Sequence, residues 1–218
     1  MKIFLQRYGI YLSATTIHKY MNKDLNLAAI IMRKKPDYKS CKKHKIFDNL
    51  LKQNFTVNEK NKIWCTDFTY MRQPNGKFRY NCTIIDLFDR SAIASVNSDY
   101  INTELAIDTL TEALNKEKPN NGIILHSDQG VQYTSWEFVN FCKDNGVTQS
   151  MSKAGYPYDN APMERFYNTF KNCFYYRYTF ESVEQLDEMT KQYINWYNYV
   201  RPHSANNYMT PMEVRYGA

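Results

Sequence analysis

The sequence predicts a mixed α/β fold, a five-stranded sheet with helices on both faces, preceded by a small basic helical arm. Three observations predict it. Between Ile63 and Asn97, three strand-like segments follow one another through short turns. From Thr103 to Tyr199, helical and strand-like segments alternate, the pattern of a layered α/β sheet. Residues 1–62 carry a net charge of +10, against −3 for 63–155 and −1 for 156–218, which separates an arm from a near-neutral body.

The elements are justified in order. Ser13 is a suitable N-cap for a helix over Thr16–Leu25, with Ile17, Tyr20 and Met21 on one face. Leu27–Met32 either continues it or begins a second helix. Arg33–Lys45 contains Pro36 and seven Lys or Arg, and reads as a linker. Ile46–Leu51 is expected to form a short helix. Ile63–Met71 is apolar, aromatic and Thr-rich, as a buried strand should be. Pro74-Asn75-Gly76 turns the chain into a second strand, Lys77–Asp86, and Ala92–Asn97 forms a third. Leu105, Ile107, Leu110 and Leu114 repeat at helical spacing within Thr103–Glu117, and Pro119 to Gly122 ends that helix. Ile123–Leu125 is a short buried strand. Thr134 and Glu137 match a capping box for a helix reaching Asn145. Val147–Met151 is the fifth strand. Asn160 and Pro162 open another helix, and Ser182–Tyr199 is the last long amphipathic one. The domain boundaries expected are 1–45 for arm and linker, 46–61 for a connector and 62–218 for the body.

With 218 residues the chain is long enough to bury a sizeable core. It has neither a membrane-spanning apolar run nor a secretory leader pattern, so a soluble cytoplasmic protein with no membrane partner is expected. Cys41, Cys65, Cys82, Cys142 and Cys173 are odd in number and fit neither a disulfide framework nor a zinc site. There is no Walker A loop, GxGxxG or GxSxG. The basic arm suits a polyanion, or is simply a solvated Lys-rich linker.

Three carboxylates are candidates for chemistry. Asp67 lies within the apolar strand Ile63–Thr69, where an unpaired carboxylate is costly. It is either a site acid or a hydrogen-bonded strand residue. Asp128, in His126-Ser127-Asp128-Gln129-Gly130, follows a strand end, where α/β folds bind ligands. It is equally readable as a turn Asp before Gly. Glu164 stands in a helix first turn, where an acid also serves the helix dipole. That helix, however, carries an apolar stripe of Met163, Phe166, Phe170 and Phe174 beside a polar stripe of Glu164, Asn168 and Lys171. Three carboxylates are hard oxygen donors, which select Mg²⁺ or Mn²⁺ over zinc. For His126 a hydrogen-bonded structural role is preferred to a ligand role, and for Asp86 and Asp89 a turn-capping role.

Residues 62–218 resemble the catalytic domain of bacterial insertion-sequence transposases of the DDE class. Those are relatives of retroviral integrases with a ribonuclease-H-like fold, and the likeness is to the second-frame product of two-frame elements. The segments carrying it run in order: Trp64-Cys65-Thr66-Asp67-Phe68-Thr69, Asp86-Leu87-Phe88-Asp89-Arg90, His126 to Ser135, Ser150-Met151-Ser152, Asp159 to Glu164, Trp196-Tyr197-Asn198, Arg201-Pro202-His203 and Thr210-Pro211. Thirty-five residues separate Asp128 from Glu164, the family's spacing. One departure is Gly155-Tyr156-Pro157-Tyr158, where the family more usually has Gly-x-x-Trp; it alters a loop and removes no ligand.

The resemblance implies that Asp67, Asp128 and Glu164 are the catalytic, metal-binding triad, with Mg²⁺ as cofactor and Mn²⁺ as its substitute. It implies cleavage of DNA at element ends and 3′-hydroxyl strand transfer into target DNA. The alternatives are a ribonuclease-H-like nuclease without strand transfer and a truncated DNA-binding regulator of transposition. Lys171, Asn168 and Arg165 on the Glu164 helix, with Lys42, Lys43 and Lys45 in the arm, are the candidate DNA contacts. The expected partners are element-end and target DNA, further copies of the chain on paired ends, and an upstream-frame product. Residues 1–32 resemble only the tail of a helix–turn–helix segment, so the chain is expected to start late and to lack end-binding helices.

Overall fold

The computed structural model describes residues 1–27, 45–73, 75–120 and 122–217. Lys42, Lys43, most of the expected linker and the 28–32 part of the expected arm helix lie outside them. Two short helices begin the chain, α1 (Lys2–Arg7) and α2 (Ala14–Lys19), the second widening into a π-type turn over Tyr20–Asp24. Ser13 caps α2 as expected, its Oγ accepting from the Thr16 N–H at 3.0 Å.

Five strands form one sheet in the order β3-β2-β1-β4-β5. They are β1 (Ile63–Arg72), β2 (Phe78–Asp86), β3 (Ala92–Ser98), β4 (Ile123–Ser127) and β5 (Val147–Met151). β1 runs antiparallel to β2, and β2 to β3, as hairpin-linked strands must. β4 and β5 are parallel to β1 and to each other, each reached through helical crossovers. The helices are α3 (Thr103–Glu117), α4 (Val131–Thr134), α5 (Trp136–Asp144), α6 (Ala161–Cys173), α7 (Val183–Tyr199) and α8 (Pro211–Tyr216). The five-stranded mixed sheet flanked by helices is the predicted fold.

Strand alternation gives the sheet two apolar faces. Cys65 and Met71 of β1 face α6 and α7, packing with Met163, Phe166, Phe170, Phe174 and Tyr193. Trp64 faces the other way, toward Ala106 and Leu110 of α3 and Phe138 of α5. The Met163–Phe174 stripe read from the sequence is thus the buried side of α6.

Two local expectations are corrected. Ile46–Leu51 is not a helix but an extended strap along the β5 end of the sheet. The Lys45 N–H donates to the Thr134 carbonyl at 3.1 Å, the Asp48 carbonyl accepts from the Met151 N–H at 3.3 Å, and the Leu50 N–H donates to Ser150 Oγ at 2.9 Å. These tertiary bonds, with Leu51 buried in the core, outweigh the local helical preference. The capping box at Thr134 and Glu137 does not form either. Thr134 ends α4, and Ser135 caps α5 through the Phe138 N–H at 3.2 Å.

Asp86 and Asp89 do cap the β2–β3 turn, accepting from the Phe88 and Ser91 N–H groups at 3.0 and 2.8 Å. They also anchor the C-terminal segment. Arg215 of α8, buried, pairs with Asp86 at 3.1 Å and with Asp89 and Glu117, and donates to Asn61 Oδ1 at 2.8 Å. Among the described residues no helix is long and apolar enough to cross a membrane.

Candidate active site

β1 and β4 part company where the candidate acids begin. Their parallel pairing covers Ile63–Cys65 against Ile124–His126. Asp67 and Asp128 each lie two residues past the last pair, Cys65 with His126, Asp67 still within β1 and Asp128 one residue beyond the end of β4. Beyond the carboxyl end of β4, where β1 runs on without that neighbour, lies the kind of crevice in which α/β sheets receive ligands. α6 closes the crevice, because its Met163–Phe174 stripe seats it on the β1 face that carries Cys65, Asp67 and Met71.

Each acid has a local reason for its position. Asp67 is partly buried, and its Oδ1 accepts from the Phe68 N–H at 2.7 Å. Asp128 is exposed, and its Oδ1 accepts from the Gly130 N–H at 2.8 Å, so the turn reading holds as well. A Cβ on Gly130 would stand 2.9 Å from that same oxygen, so a side chain there would push the carboxylate aside. Glu164 is exposed in the first turn of α6, and the partial burial of its carboxyl raises it from its ordinary pKa.

The three acids share one electrostatic field. Burial pushes the Asp67 carboxyl up to about 8, helped by the Asp128 carboxylate and then by Glu164, against the Phe68 hydrogen bond and Lys171. Lys171 is part-buried, with Nζ 4.6 Å from the centroid of the Tyr70 ring. Burial lowers its ammonium and the charge of Asp67 raises it. Among the described residues no three His, Cys, Asp or Glu side chains stand close enough to hold a metal ion. The donor set nonetheless fits a hard divalent cation. All its donors are carboxylate oxygens, and a positive ion would relieve the repulsion that raises Asp67.

The other candidates are placed as follows. Asn168 is exposed and accepts from Asn172 Nδ2 at 2.7 Å. Arg165 is exposed beside Glu164. Lys45 is exposed on the strap, its Nζ 5.0 Å from the Phe47 ring centroid. His126 is structural: buried, it bonds Ser150 Oγ at 2.9 Å through Nδ1, and Ser152 Oγ at 3.1 Å and the Asp159 carbonyl at 2.9 Å through Nε2. Burial keeps it below its ordinary pKa.

Sequence reasoning missed the residues that fix α6. The Tyr167 hydroxyl donates to the Asp67 carbonyl at 2.8 Å, and Asn160 Nδ2 donates to the Thr66 carbonyl at 3.3 Å. Asp159 accepts from Gln53 Nε2 and Asn49 Nδ2 at 2.9 Å each and from the Lys153 N–H at 3.0 Å. The signal was a Tyr on an apolar stripe, since a buried phenol needs a partner for its hydroxyl.

Residues 57–157 and 145–211 match the integrase core domain family. The transposase for insertion sequence element IS904 of Lactococcus lactis is 37% identical over 76% of this chain and 65% of its own length. The putative transposase InsK for insertion sequence element IS150 of Escherichia coli is 30% identical over 97% of this chain and 74% of its own length. The chain thus spans about two thirds to three quarters of those relatives. The HTLV-2 integrase catalytic core domain, solved in complex with magnesium, superposes with a TM-score of 0.58 at 17% identity, over 72% of this chain and 98% of that one. Its ribonuclease-H-like fold is therefore this chain's fold. Matches that together run from 57 to 211 and relatives at this identity establish the kinship: the chain belongs to the integrase-core family of bacterial insertion-sequence transposases.

Proposed function

We propose that the chain catalyses divalent-metal-dependent cleavage of DNA at the ends of a mobile element and transfers the freed 3′-hydroxyl to target DNA. What supports this reading is the coupling of Asp67 on β1 to Asp128, just past the end of β4, and to Glu164 on α6, whose charges both raise its carboxyl. These three would hold Mg²⁺, or Mn²⁺ in its place. Bound there, such ions supply Lewis-acid activation of a water or a 3′-hydroxyl and stabilise the leaving oxygen in attack at phosphorus.

The protein's own part is positioning. β1 holds Asp67 on a strand hydrogen-bonded to β2. The Gly130 N–H aims Asp128. Tyr167 and Asn160 tie α6, and with it Glu164, to the Asp67 strand. Lys171, with Arg165 and Asn168 on the same helix, offers polar and cationic contacts to the DNA end. The net +10 of residues 1–62, with Lys42, Lys43 and Lys45, supplies sequence-independent phosphate contacts. On this reading 1–45 is a DNA-binding arm, 46–61 its connector and 62–218 the catalytic domain. It works in the cytoplasm as a multimer on paired ends, with an upstream-frame product supplying end recognition.

The test follows labelled element-end DNA on a sequencing gel with Mg²⁺ or Mn²⁺, an end-binding segment being supplied where needed. Wild type should nick at the end and join strands. Glu164→Gln should lose both steps and keep DNA binding, because the amide keeps the shape but not the charge. Joining at near the wild-type rate by this variant would overturn the reading.

A further inference from the structure

We propose that the sheet edge beyond Asp67 binds unpaired nucleotides, stacking their bases on Tyr70 and Phe78. The inference rests on the DNA-end reading above and adds the state of the DNA: the strand next to the scissile phosphate is single-stranded when it is bound.

Past Cys65, β1 has β2 on one side only. Its end and the facing end of β2 carry two large exposed rings, Tyr70 at 47% and Phe78 at 43% exposure. They meet edge to face with centroids 5.5 Å apart. Each ring has a cation against it. Lys171 Nζ lies 4.6 Å from the Tyr70 centroid, and the Arg72 guanidinium 5.9 Å from that of Phe78. The nearby Arg79 is instead occupied by Asp99 at 2.8 Å and Asp187 at 2.5 Å.

Arg72 also lines the neighbouring hollow of about 340 Å³, with Tyr175, Tyr176, Tyr178 and Phe180. Rings therefore continue from the hairpin into a cavity, with cations set among them. Aromatic faces accept base faces, and the cations accept the phosphates between bases. A paired duplex hides its base faces, so the ligand that matches both features is an unpaired strand. Lys171, which touches Tyr70 from the helix that carries Glu164, joins this surface to the site.

The experiment uses the full chain without divalent ion. Two fluorescein-labelled DNAs are titrated, a short blunt duplex and the same duplex with an unpaired 3′ tail of a few nucleotides. Stacking worth roughly 1–3 kcal/mol per base gives the tailed DNA an affinity about tenfold higher or more. Tyr70→Leu with Phe78→Leu should make the two affinities equal, while Tyr70→Phe keeps the preference. Circular-dichroism melts establish that the variants fold, and the single Leu variants serve if the double one does not. A 2-aminopurine in the tail gives a readout free of variants, its fluorescence being quenched on stacking. Equal wild-type affinities with no quenching, or a preference that survives both Leu substitutions, overturn this inference alone. Binding of neither DNA overturns it together with the DNA-end reading.

Discussion

The Tyr167 hydroxyl reaches from α6 to the backbone carbonyl of Asp67 at 2.8 Å, so the helix that carries Glu164 is bonded to the strand residue that carries the first acid. Asn81 of β2 stands beside the same hydroxyl, its Oδ1 at 3.1 Å. Tyr167→Phe removes a buried hydroxyl shared among the Asp67 carbonyl, the Asn81 carbonyl and Asn81 Oδ1, for a cost of about 1–2 kcal/mol. Strand-transfer kcat should fall about tenfold with DNA affinity little changed, because the acids lose registration rather than contact with the substrate. Steady-state kinetics beside a thermal melt separate the two effects; an unchanged kcat would leave Tyr167 a core residue only.

Gly130 is the second lever. Its missing side chain lets the N–H approach Asp128 Oδ1, and a Cβ would stand 2.9 Å from that oxygen. Gly130→Ala should therefore swing the Asp128 carboxylate away at little cost in stability. Metal-dependent cleavage should drop by about 10²-fold, as for other displacements of about 1 Å at reacting centres, while Tm moves by only a few degrees. Parallel cleavage and melting measurements check this.

Acid should unfasten the loop before α6. The hydrogen bond from Gln53, then that from the Lys153 N–H, holds Asp159 below the ordinary carboxylate pKa. Its folded value is depressed, so its contribution is complete above the unfolded pKa of about 4 and is lost as pH falls through the folded value. Tm should fall below that pH in the wild type. Asp159→Asn should be less stable than wild type at neutral pH and converge with it in acid. Two curves running parallel across the range would contradict the assignment.

The buried cation of α8 should matter most to stability. Arg215→Ala leaves Asp86, Asp89 and Glu117 without their guanidinium, a loss of about 3–5 kcal/mol. Urea denaturation should show it as a lower midpoint, and Arg215→Lys should recover only part because it lacks the planar fork.

The sheet was legible because its strands are near-continuous apolar runs ended by turn residues, and α6 because Met163, Phe166, Phe170 and Phe174 recur at helical spacing. The strap was not. Ile46–Leu51 owes its extended form to Thr134, Ser150 and Met151, about 90 to 100 residues away in sequence, and no local pattern encodes such a bond. α8 was missed although Thr210, Pro211 and Glu213 spell a capping box, which the structure forms. Within the site, the acids could be nominated from their strand, strand-end and helix positions. What aims them, Tyr167 and the Asp159 loop, depends on long-range contacts that spacing does not reveal.

On the proposed reading, Asp67, Asp128 and Glu164 together hold the divalent ion. Anomalous diffraction from crystals soaked in Mn²⁺ tests it most directly, since it locates the ion without reference to activity. A manganese peak is expected in the crevice between Asp67 and Asp128 on the Glu164 side, lost in Asp67→Asn. A peak bound only elsewhere, or no peak in a site open to the soaking solution, would contradict it.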